Sequence, residues 1–303
     1  MQRSSFKGII LLLMTALIWG VSFVAQSVGS DVIGPFTYNG IRTLMGGMLL
    51  TAFVLIRDIS AGVSVKKIFN KKLLIRGIIL GSIFTVASNV QQFAFSYSTA
   101  GKIAFITALY IFFVPIIGLF MKKKIHPLIW VCIFMAGIGL YLLSVKDGDF
   151  SRINTGDILA LICGFCFAFH IIFIDRFASD SDGVKLSALQ FLFAGSVTVI
   201  LMFIFEKPAL SGIEDAMVPL LYSGIMSCGV AYTFQIIGQK YTSPVVASLL
   251  MCLESVFAVI AAAILIKEIP SLREGIGCAV MFAAIILSQI IEWKHKAPSD
   301  SNC

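Results

Sequence analysis

Three ionisable side chains lie inside long apolar stretches of the sequence. Glu254 is the only acid deep in any such stretch, while Arg42 and His170 lie in two others. If these stretches cross a lipid bilayer, each buried charge costs about 2.5 to 3.5 kcal/mol, which makes each residue a candidate functional group. We expect Glu254 to bind a cationic group or to carry a coupling proton. The alternative is a structural Glu254, paired with Arg42 or capping nearby hydroxyl groups.

Arg42 and His170 each allow two interpretations. Arg42 could attract an anionic or carboxylate group, or it could hold two helices together by bonding their backbone carbonyl groups. His170 resembles a proton relay, but its position toward the end of its stretch also allows solvation beside Asp175 and Arg176. For His170 we favour the second interpretation.

Amide side chains form a second group of polar candidates. They are Asn89, Gln91, Gln92, Gln190, Gln235 and Gln289. Hydrogen bonds between membrane helices contribute on average only about 0.6 kcal/mol, and joining helices explains most of these residues. Gln91 and Gln235 differ, because the repeat described below pairs them, and we expect them near the outer and inner mouths of a pathway. Asn89 stays among the candidate site residues.

Aromatic side chains could line a pathway between the helices. The candidates are Trp19, Phe23, Phe93, Tyr110 and Tyr232. Such rings could stack on a planar or amphiphilic solute. Aromatic residues at helical spacing more often serve ordinary packing or contact lipid, and both interpretations stay open.

Composition identifies the class of protein that must position these residues. Of the 303 residues, 58% are hydrophobic and only 13% are charged, and the mean hydropathy is +0.97. Soluble domains have about a quarter charged residues, so a soluble globular protein is excluded. Ten apolar stretches have the length of a membrane-spanning helix. They are Gly8–Val28, Phe36–Ile56, Leu73–Phe95, Gly101–Met121, Pro127–Val145, Gly156–Ile174, Leu186–Phe205, Met217–Gly238, Pro244–Ile266 and Gly275–Ile291.

Lysine and arginine are unevenly distributed between the connections. With the N-terminus in the cytoplasm, 16 of the 23 basic residues fall in cytoplasmic segments, six in external segments, and Arg42 within a stretch. Basic residues are retained on the cytoplasmic side, so we expect a multi-pass protein of the cell membrane with both termini in the cytoplasm. The net charge of +7 then reflects topology and implies no nucleic-acid partner.

The second half of the sequence resembles the first. A shift of 144 positions matches Gln91 with Gln235 and Tyr110 with Glu254, and a shift of 148 fits the first two stretches of each half. Tyr110 and Glu254 should therefore face each other near the membrane midplane, where inverted-repeat transporters bind their substrates. Pro115 predicts a kink close to this pair, either static or used in gating.

Five is an odd number of spans, so a second unit of five helices enters the membrane from the opposite side. We therefore predict an all-α integral membrane protein with ten transmembrane helices, arranged as two inverted five-helix repeats. We place the first repeat at residues 1–149. The second takes residues 150–303 and includes a short cytoplasmic C-terminal tail.

Enzymatic and metal chemistry have little basis in the sequence. Cys163 and Cys166 have C-x-x-C spacing, but they lie in an apolar stretch, and only three histidines are scattered along the chain. A phosphate-binding glycine loop, a nucleophile elbow and an H-E-x-x-H motif are all missing from the sequence. We expect no enzyme activity, no metal and no cofactor.

Several short segments follow one another in a characteristic order. They are Ala16–Phe23, Arg42, Gly156–Leu161, Leu253–Ala258 and Ile264–Glu268. Their order and spacing resemble the EamA-type ten-helix members of the drug/metabolite transporter superfamily. Ser255 stands where those members usually have proline after the glutamate, which leaves a kink beside Glu254 without its usual cause. Phe167 stands where tryptophan is common in helix six.

The resemblance implies a central cavity and the movement of small organic solutes, often the export of amino acids, other metabolites or drugs. We expect a secondary active transporter, an exporter, working by alternating access with Glu254 at the centre. Arg42, Tyr110, Gln91 and Gln235 are the main contributors expected beside it. The alternative is a non-transporting membrane sensor or assembly protein. The expected partners are a small-molecule substrate and the lipid bilayer, with homodimerisation left open.

Overall fold

The computed structural model describes residues 6–144, 153–265, 267 and 270–296, and within these ranges the chain is helical and has no strand. We number the spans α1 (Phe6–Ser30), α2 (Pro35–Ser60), α3 (Lys71–Ala94), α4 (Ala100–Ala108 and Tyr110–Phe120), α5 (Pro127–Ser144), α6 (Thr155–Ala178), α7 (Gly183–Phe205), α8 (Met217–Leu221, Tyr222–Ala231 and Tyr232–Gln239), α9 (Pro244–Met251 and Glu254–Leu265) and α10 (Leu272–Lys296). Short helices, Val65–Ile68 and Leu210–Asp215, lie in two connections.

The ten spans coincide with the ten apolar stretches of the sequence. Nine of them, within the described ranges, are long and apolar enough to cross a membrane, and α5 is a slightly shorter apolar helix. Large apolar side chains point away from the bundle, as in Phe53, Phe134 and Phe203, which are 54%, 59% and 70% exposed. Lipid tails are the solvent that suits such a surface. The prediction of an all-α membrane protein is confirmed.

The connections lie at two ends of the bundle. We call the end that carries residues 61–70, 121–126, 179–182 and 240–243 the basic end, because these connections hold six lysines. The opposite end carries residues 31–34, 95–99 and 206–216. Side chains start several helices at these ends, as where Asn70 accepts a hydrogen bond from the Leu73 amide, and Asn154 and Asp157 cap α6 reciprocally.

Helix packing follows the two repeats. Helices α2 and α7 pack on each other, and α5 packs on α10, so each of these pairs joins equivalent helices. The contact of α1 with α8 corresponds to that of α3 with α6, and the contact of α1 with α9 corresponds to that of α4 with α6. Each of these contacts thus has its counterpart when the two five-helix units are exchanged.

Two glycines show the same correspondence at atomic detail. A β-carbon at Gly47 would lie 2.6 Å from the backbone nitrogen of Leu192, and one at Gly195 would lie 2.5 Å from the backbone nitrogen of Leu44. Both residues of one contact are 148 positions from those of the other. Glycine lets α2 and α7 approach closely at both places. The repeat boundary predicted at residues 149 and 150 lies outside the described residues and stays a prediction.

Candidate functional site

Helices α4 and α9 are both interrupted near their middle. The interruption lies at Leu109 in α4 and at Cys252 and Leu253 in α9, so Tyr110 and Glu254 begin the second halves. The shift of 144 positions places Leu109 on Leu253. In many inverted-repeat transporters, discontinuous helices in corresponding positions form the binding site.

The two interruptions have different local causes. In α4, Pro115 has no amide hydrogen and crowds the carbonyl group of Ile111, next to the break. In α9, Ser248 and Cys252 donate side-chain hydrogen bonds of 2.7 and 3.0 Å to carbonyl groups three residues earlier. Such bonds compete with the helical ladder. The break beside Glu254 therefore forms although Ser255 supplies no proline.

Tyr110 and Glu254 join the two interrupted helices. The hydroxyl of Tyr110 donates a 3.1 Å hydrogen bond to Oε1 of Glu254. The first half of α4 packs on the second half of α9, and the second half of α4 on the first half of α9, so the helices run in opposite directions. Both side chains are almost fully buried. The repeat alignment predicts this proximity.

A small cavity adjoins the Tyr110–Glu254 hydrogen bond. Its volume is about 30 Å³, room for only a few water molecules. Seven of the nine candidate site residues line it: Trp19, Phe23, Arg42, Gln91, Tyr110, Gln235 and Glu254. Asn89 and His170 do not line it.

Arg42 and Glu254 are the two charged residues of the cavity wall. Both are buried, at 3% and 4% exposure. Within the described ranges neither takes part in an ion pair, which leaves the structural pairing of Arg42 with Glu254 without support. A guanidinium group and a carboxyl group that do not pair with each other can bind the two ends of a small molecule that carries both an anionic and a cationic group.

Arg42 is held in place by a network of amides and hydroxyls. Its Nε donates a 3.0 Å hydrogen bond to Oδ1 of Asn39, whose Nδ2 donates to Ser88 and to Asn89 at 3.0 and 2.9 Å. Asn89 in turn donates to the hydroxyl of Thr198 at 2.9 Å. The network joins α2, α3 and α7, and it gives Asn89 contacts typical of a supporting residue.

The expectation of a solvated His170 near the end of its helix is wrong. The side chain is fully buried, and its Nε2 lies 3.0 Å from Oε1 of Gln190 on α7. The rings of Phe84, Phe167 and Tyr232 surround it at centroid distances of 6.0 to 6.2 Å. The position of a residue along a helix indicates its depth in the membrane but not the direction of its side chain. His170 lies on the face of α6 that turns toward α7, so its side chain is buried in the bundle.

Gln91 and Gln235 were predicted at two separate mouths, and both line the one central cavity. Oε1 of Gln235, Oε1 of Gln26 and Nε1 of Trp19 are buried and have no hydrogen-bond partner in the part of the chain that the structure describes. An unsatisfied buried polar group costs about 1 to 3 kcal/mol, so these atoms are available to a ligand or to water. A gating role of the two glutamines stays a prediction.

Aromatic rings form the apolar part of the wall. Trp19 and Tyr232 lie with ring centroids 4.6 Å apart, and Phe23 and Phe167 complete the wall. Phe93, the remaining aromatic candidate, instead packs against Phe36 at 4.9 Å. The wall can therefore accommodate an apolar or aromatic group beside the two charges.

Helix α8 has an unusual winding next to the cavity. Residues Tyr222–Ala231 form a π-helix, and Ser227 of this segment lines the cavity. π-Helical turns are rare and are frequently found at functional sites. No sequence pattern indicates this segment. The sequence also does not mark Ser22, Gln26 and Thr107 as part of the cavity wall, because polar residues of these types are common in membrane helices.

Two ion pairs fasten α4 to α6. At the opposite end Lys102 Nζ lies 2.8 Å from Asp157 Oδ2, and at the basic end Lys123 Nζ lies 3.0 Å from Asp175 Oδ2. The side chains of Lys102 and Asp157 are only 5% and 8% exposed. From the sequence, Lys102 is assigned to an external segment. The structure shows it buried instead, because Asp157 of α6 pairs with it.

Helices α2 and α7 are fastened at both ends. At the basic end Lys185 Nζ lies 2.5 Å from Asp58 Oδ2. At the opposite end Glu206 accepts hydrogen bonds from the amides of Phe36 and Thr37, at 2.9 and 2.8 Å, and from the Thr37 hydroxyl at 2.6 Å. In the repeat, Asp58 corresponds to Glu206 and Lys185 corresponds to Thr37. The two contacts therefore occupy equivalent positions, but one is an ion pair and the other is a set of hydrogen bonds to a carboxylate.

Asp180 forms a further exposed cluster at the basic end. Its carboxylate lies 2.6 Å from both Arg76 and Lys72 of α3. Arg76 first, and then Lys72, hold the pKa of the Asp180 carboxyl below its usual range. This cluster joins the basic ends of α3 and α6. Exposed ion pairs contribute little stability, so we assign it no further role.

Comparison with known proteins covers nearly the whole chain. The model of the EamA-like transporter family matches residues 6–145 and again residues 154–289. An uncharacterized transporter of Archaeoglobus fulgidus is 26% identical over 277 residues, which are 91% of this chain and 83% of that protein. The uncharacterized inner membrane transporter YedA of Escherichia coli K12 is 26% identical over 280 residues, with 89% and 87% covered.

A solved crystal structure supports the same fold. It is 15% identical in sequence, covers 97% of this chain and 100% of its own, and has a TM-score of 0.79. The two matches of one family model fall on the two five-helix units. The chain therefore belongs to the EamA-like transporter family.

Proposed function

We propose that the protein is a secondary transporter that moves a small organic solute across the cell membrane by alternating access. The observation that carries the proposal is the central cavity at the crossing of two interrupted helices, where Arg42 and Glu254 are buried and have no ion-pair partner among the described residues. Membership of a transporter family supports transport rather than catalysis. A buried, unpaired charge in a membrane protein marks a solute or ion pathway more often than a structural site.

The wall of the cavity suits a molecule with both charges, such as an amino acid. Arg42 would bind a carboxylate through its guanidinium group, and Glu254 would bind an ammonium group. Trp19 and Tyr232 would contact an apolar or aromatic side chain. Oε1 of Gln235 offers an acceptor for a remaining donor of the solute.

The size of the cavity supports a mechanism in which the helices move. A cavity of about 30 Å³ is much smaller than the roughly 300 to 1,000 Å³ of typical ligand pockets. A solute therefore fits only after helices separate. The Tyr110–Glu254 hydrogen bond joins α4 to α9, whereas ion pairs tie α4 to α6 at both ends, so α4 and α6 would move together relative to α9.

Glu254 is the proposed coupling residue. Proton binding or solute binding at its carboxyl group would compete with the hydrogen bond from Tyr110 and release α9 from α4. Export is the proposed direction, and a proton gradient is the proposed driving force. Asn89 and His170 would act only by supporting the wall, through Asn39 and Gln190.

The test is flux into liposomes that contain the purified protein. Labelled amino acids, nucleosides and cationic drugs are screened with and without an imposed pH gradient. We expect Glu254→Gln to abolish gradient-driven accumulation, while Glu214→Gln, at an exposed acid outside the spans, leaves it unchanged. Unchanged accumulation by Glu254→Gln would remove the coupling role. Solute binding without flux of any solute would instead support the sensor or assembly alternative.

We also propose that the basic end faces the cytoplasm, which places both termini there. Ser64 and Ser211 are exposed residues in connections at the two ends. In a variant without native cysteines, we expect Ser211→Cys to react with an impermeant thiol reagent added to intact cells, and Ser64→Cys to react only after lysis. The reverse labelling pattern would overturn the orientation.

A further inference from the structure

A second cavity lies at the basic end, separate from the central one. Its volume is about 270 Å³, nine times that of the central cavity. It lies between the second half of α4, the start of α5, the first half of α9 and the end of α10. Its wall is mainly apolar, with Val114, Ile129, Ile172, Val246 and Ile291 as representative residues. We call it the apolar groove.

Gly118 leaves the groove open. A β-carbon at Gly118 would meet only Ile125 Cδ1, at 4.0 Å, whereas one at Gly137 or Gly139 would meet neighbouring atoms at 2.5 to 2.6 Å. Glycine within a helix costs roughly 0.5 to 1 kcal/mol relative to alanine. At Gly137 and Gly139 close helix packing accounts for this cost. At Gly118 no helix within the described ranges packs this closely, so the glycine leaves room beside an apolar wall.

Positive charge is concentrated at one side of the groove. Lys123 and Lys124 supply it, both in the connection between α4 and α5. His126 of the same connection also lines the groove, and its Nδ1 accepts a 3.2 Å hydrogen bond from the Leu128 amide. Lys123 is paired with Asp175 at 3.0 Å, while Lys124 is exposed and has no ion-pair partner among the described residues. An apolar trough with cations at one margin matches a molecule that has an apolar chain and an anionic head.

We propose that the apolar groove binds an anionic phospholipid of the cytoplasmic leaflet, with an acyl chain against Val114 and Gly118 and the headgroup phosphate at Lys124 and His126. The leaflet follows from the orientation proposed above. Basic pockets between transmembrane helices on the cytoplasmic side are typical sites for anionic lipid headgroups. A soluble anion would use the cations but leave the apolar wall without a partner.

The site would link the lipid to the moving helices. The groove lies between the second half of α4 and the first half of α9. The Tyr110–Glu254 hydrogen bond joins the start of that half of α4 to the residue just beyond the break in α9. An acyl chain there fills the space between the two half-helices. Lipid binding itself does not depend on transport, so it can be tested even if the proposed function fails.

The experiment counts bound lipids by native mass spectrometry of the full chain in detergent. Phosphatidylglycerol and phosphatidylcholine with identical acyl chains are titrated, and glycerol phosphate supplies the headgroup without chains. We expect one tightly bound phosphatidylglycerol, at least tenfold weaker phosphatidylcholine binding and no retained glycerol phosphate. Equal binding of both lipids, or retention of glycerol phosphate alone, would overturn the proposal.

Two pairs of variants locate the site. Gly118→Leu fills the groove and should weaken phosphatidylglycerol binding at least tenfold, while Gly275→Leu, whose β-carbon also meets open space, should not. Lys124→Gln should remove the preference for phosphatidylglycerol, while Lys67→Gln, at an exposed lysine in another connection of the same end, should keep it.

Melting temperatures in detergent alone separate lipid effects from misfolding. If Gly118→Leu fails to fold, Gly118→Ala, a smaller filling of the groove, is measured in its place and should weaken binding severalfold. Full binding by the groove variants would overturn the proposal. It would also be overturned if Gly118→Leu stopped solute flux and left lipid binding intact, because the groove would then belong to the solute pathway.

Discussion

The two five-helix units share one arrangement of helices, the frame of the protein, but differ in the side chains that they present to the central cavity. Each charged residue of the cavity has a neutral repeat mate, since Arg42 corresponds to Gln190 and Glu254 corresponds to Tyr110. The breaks in α4 and α9 correspond, whereas α3 is a regular helix and its counterpart α8 contains a π-helical segment. Duplication thus explains the positions of the side chains, and divergence explains the one cation and one anion that they present.

We expect the largest effect on stability from substitutions where α2 and α7, the equivalent helices of the shared frame, approach each other most closely. Gly47→Leu and Gly195→Leu should each place side-chain atoms against the backbone of the partner helix. Overpacking costs typically about 1 to 3 kcal/mol, so both variants should melt at clearly lower temperature than the parent protein in detergent. Gly275→Leu is the control. A harmless change at one of the two positions would show that the frame is less symmetric than the contacts of α2 and α7 indicate.

Arg42→Gln sharpens the chemical difference between the units, because it gives α2 the residue that α7 has at the equivalent position. A hydrogen bond to a charged group contributes about 1.5 to 3 kcal/mol. We therefore expect the apparent KM for a carboxylate-bearing solute to rise about ten- to hundredfold in liposome flux. A matched amine without the carboxylate should be transported as before. An equal loss for both solutes would mean that Arg42 supports the fold instead of the carboxylate.

Tyr110→Phe tests the link between the units with a smaller change. The substitution removes the hydroxyl group that donates to Glu254 and keeps the ring. A typical hydrogen bond contributes about 0.5 to 1.5 kcal/mol, so the transport rate should change by about two- to tenfold. The pH gradient should still drive accumulation, because Glu254 remains. Tyr97→Phe, at an exposed tyrosine, should have no effect, and an identical rate for Tyr110→Phe would remove the hydrogen bond from the mechanism.

Much of this architecture could be predicted from two patterns that extend over the whole sequence, the apolar stretches and the internal repeat. Apolar stretches predict the ten spans because the bilayer imposes their length. The shift of 144 positions predicts that Tyr110 and Glu254 meet, since equivalent residues near the axis of an inverted repeat approach each other. The central cavity gathers most of the predicted residues for the same reason.

What the sequence could not predict depends on partners that lie far away along the chain. Lys102 is buried because Asp157 of α6 is there to pair with it, and His170 is buried because its helix face turns toward Gln190. The π-helical segment of α8 has no composition that distinguishes it from an α-helix. The break in α9 arises from the side-chain hydrogen bonds of Ser248 and Cys252, and the same residues occur in unbroken helices.

The start of α2 has a consequence for the order of assembly. Its first residues follow Gly34, which has no side chain to cap them, and the carboxylate of Glu206 satisfies the amides of Phe36 and Thr37 instead. Glu206 follows these residues by 170 and 169 positions in the chain. During synthesis, the start of α2 is therefore made long before the residue that caps it. The amides at the start of α2 obtain these hydrogen bonds only after the end of α7 has been synthesised.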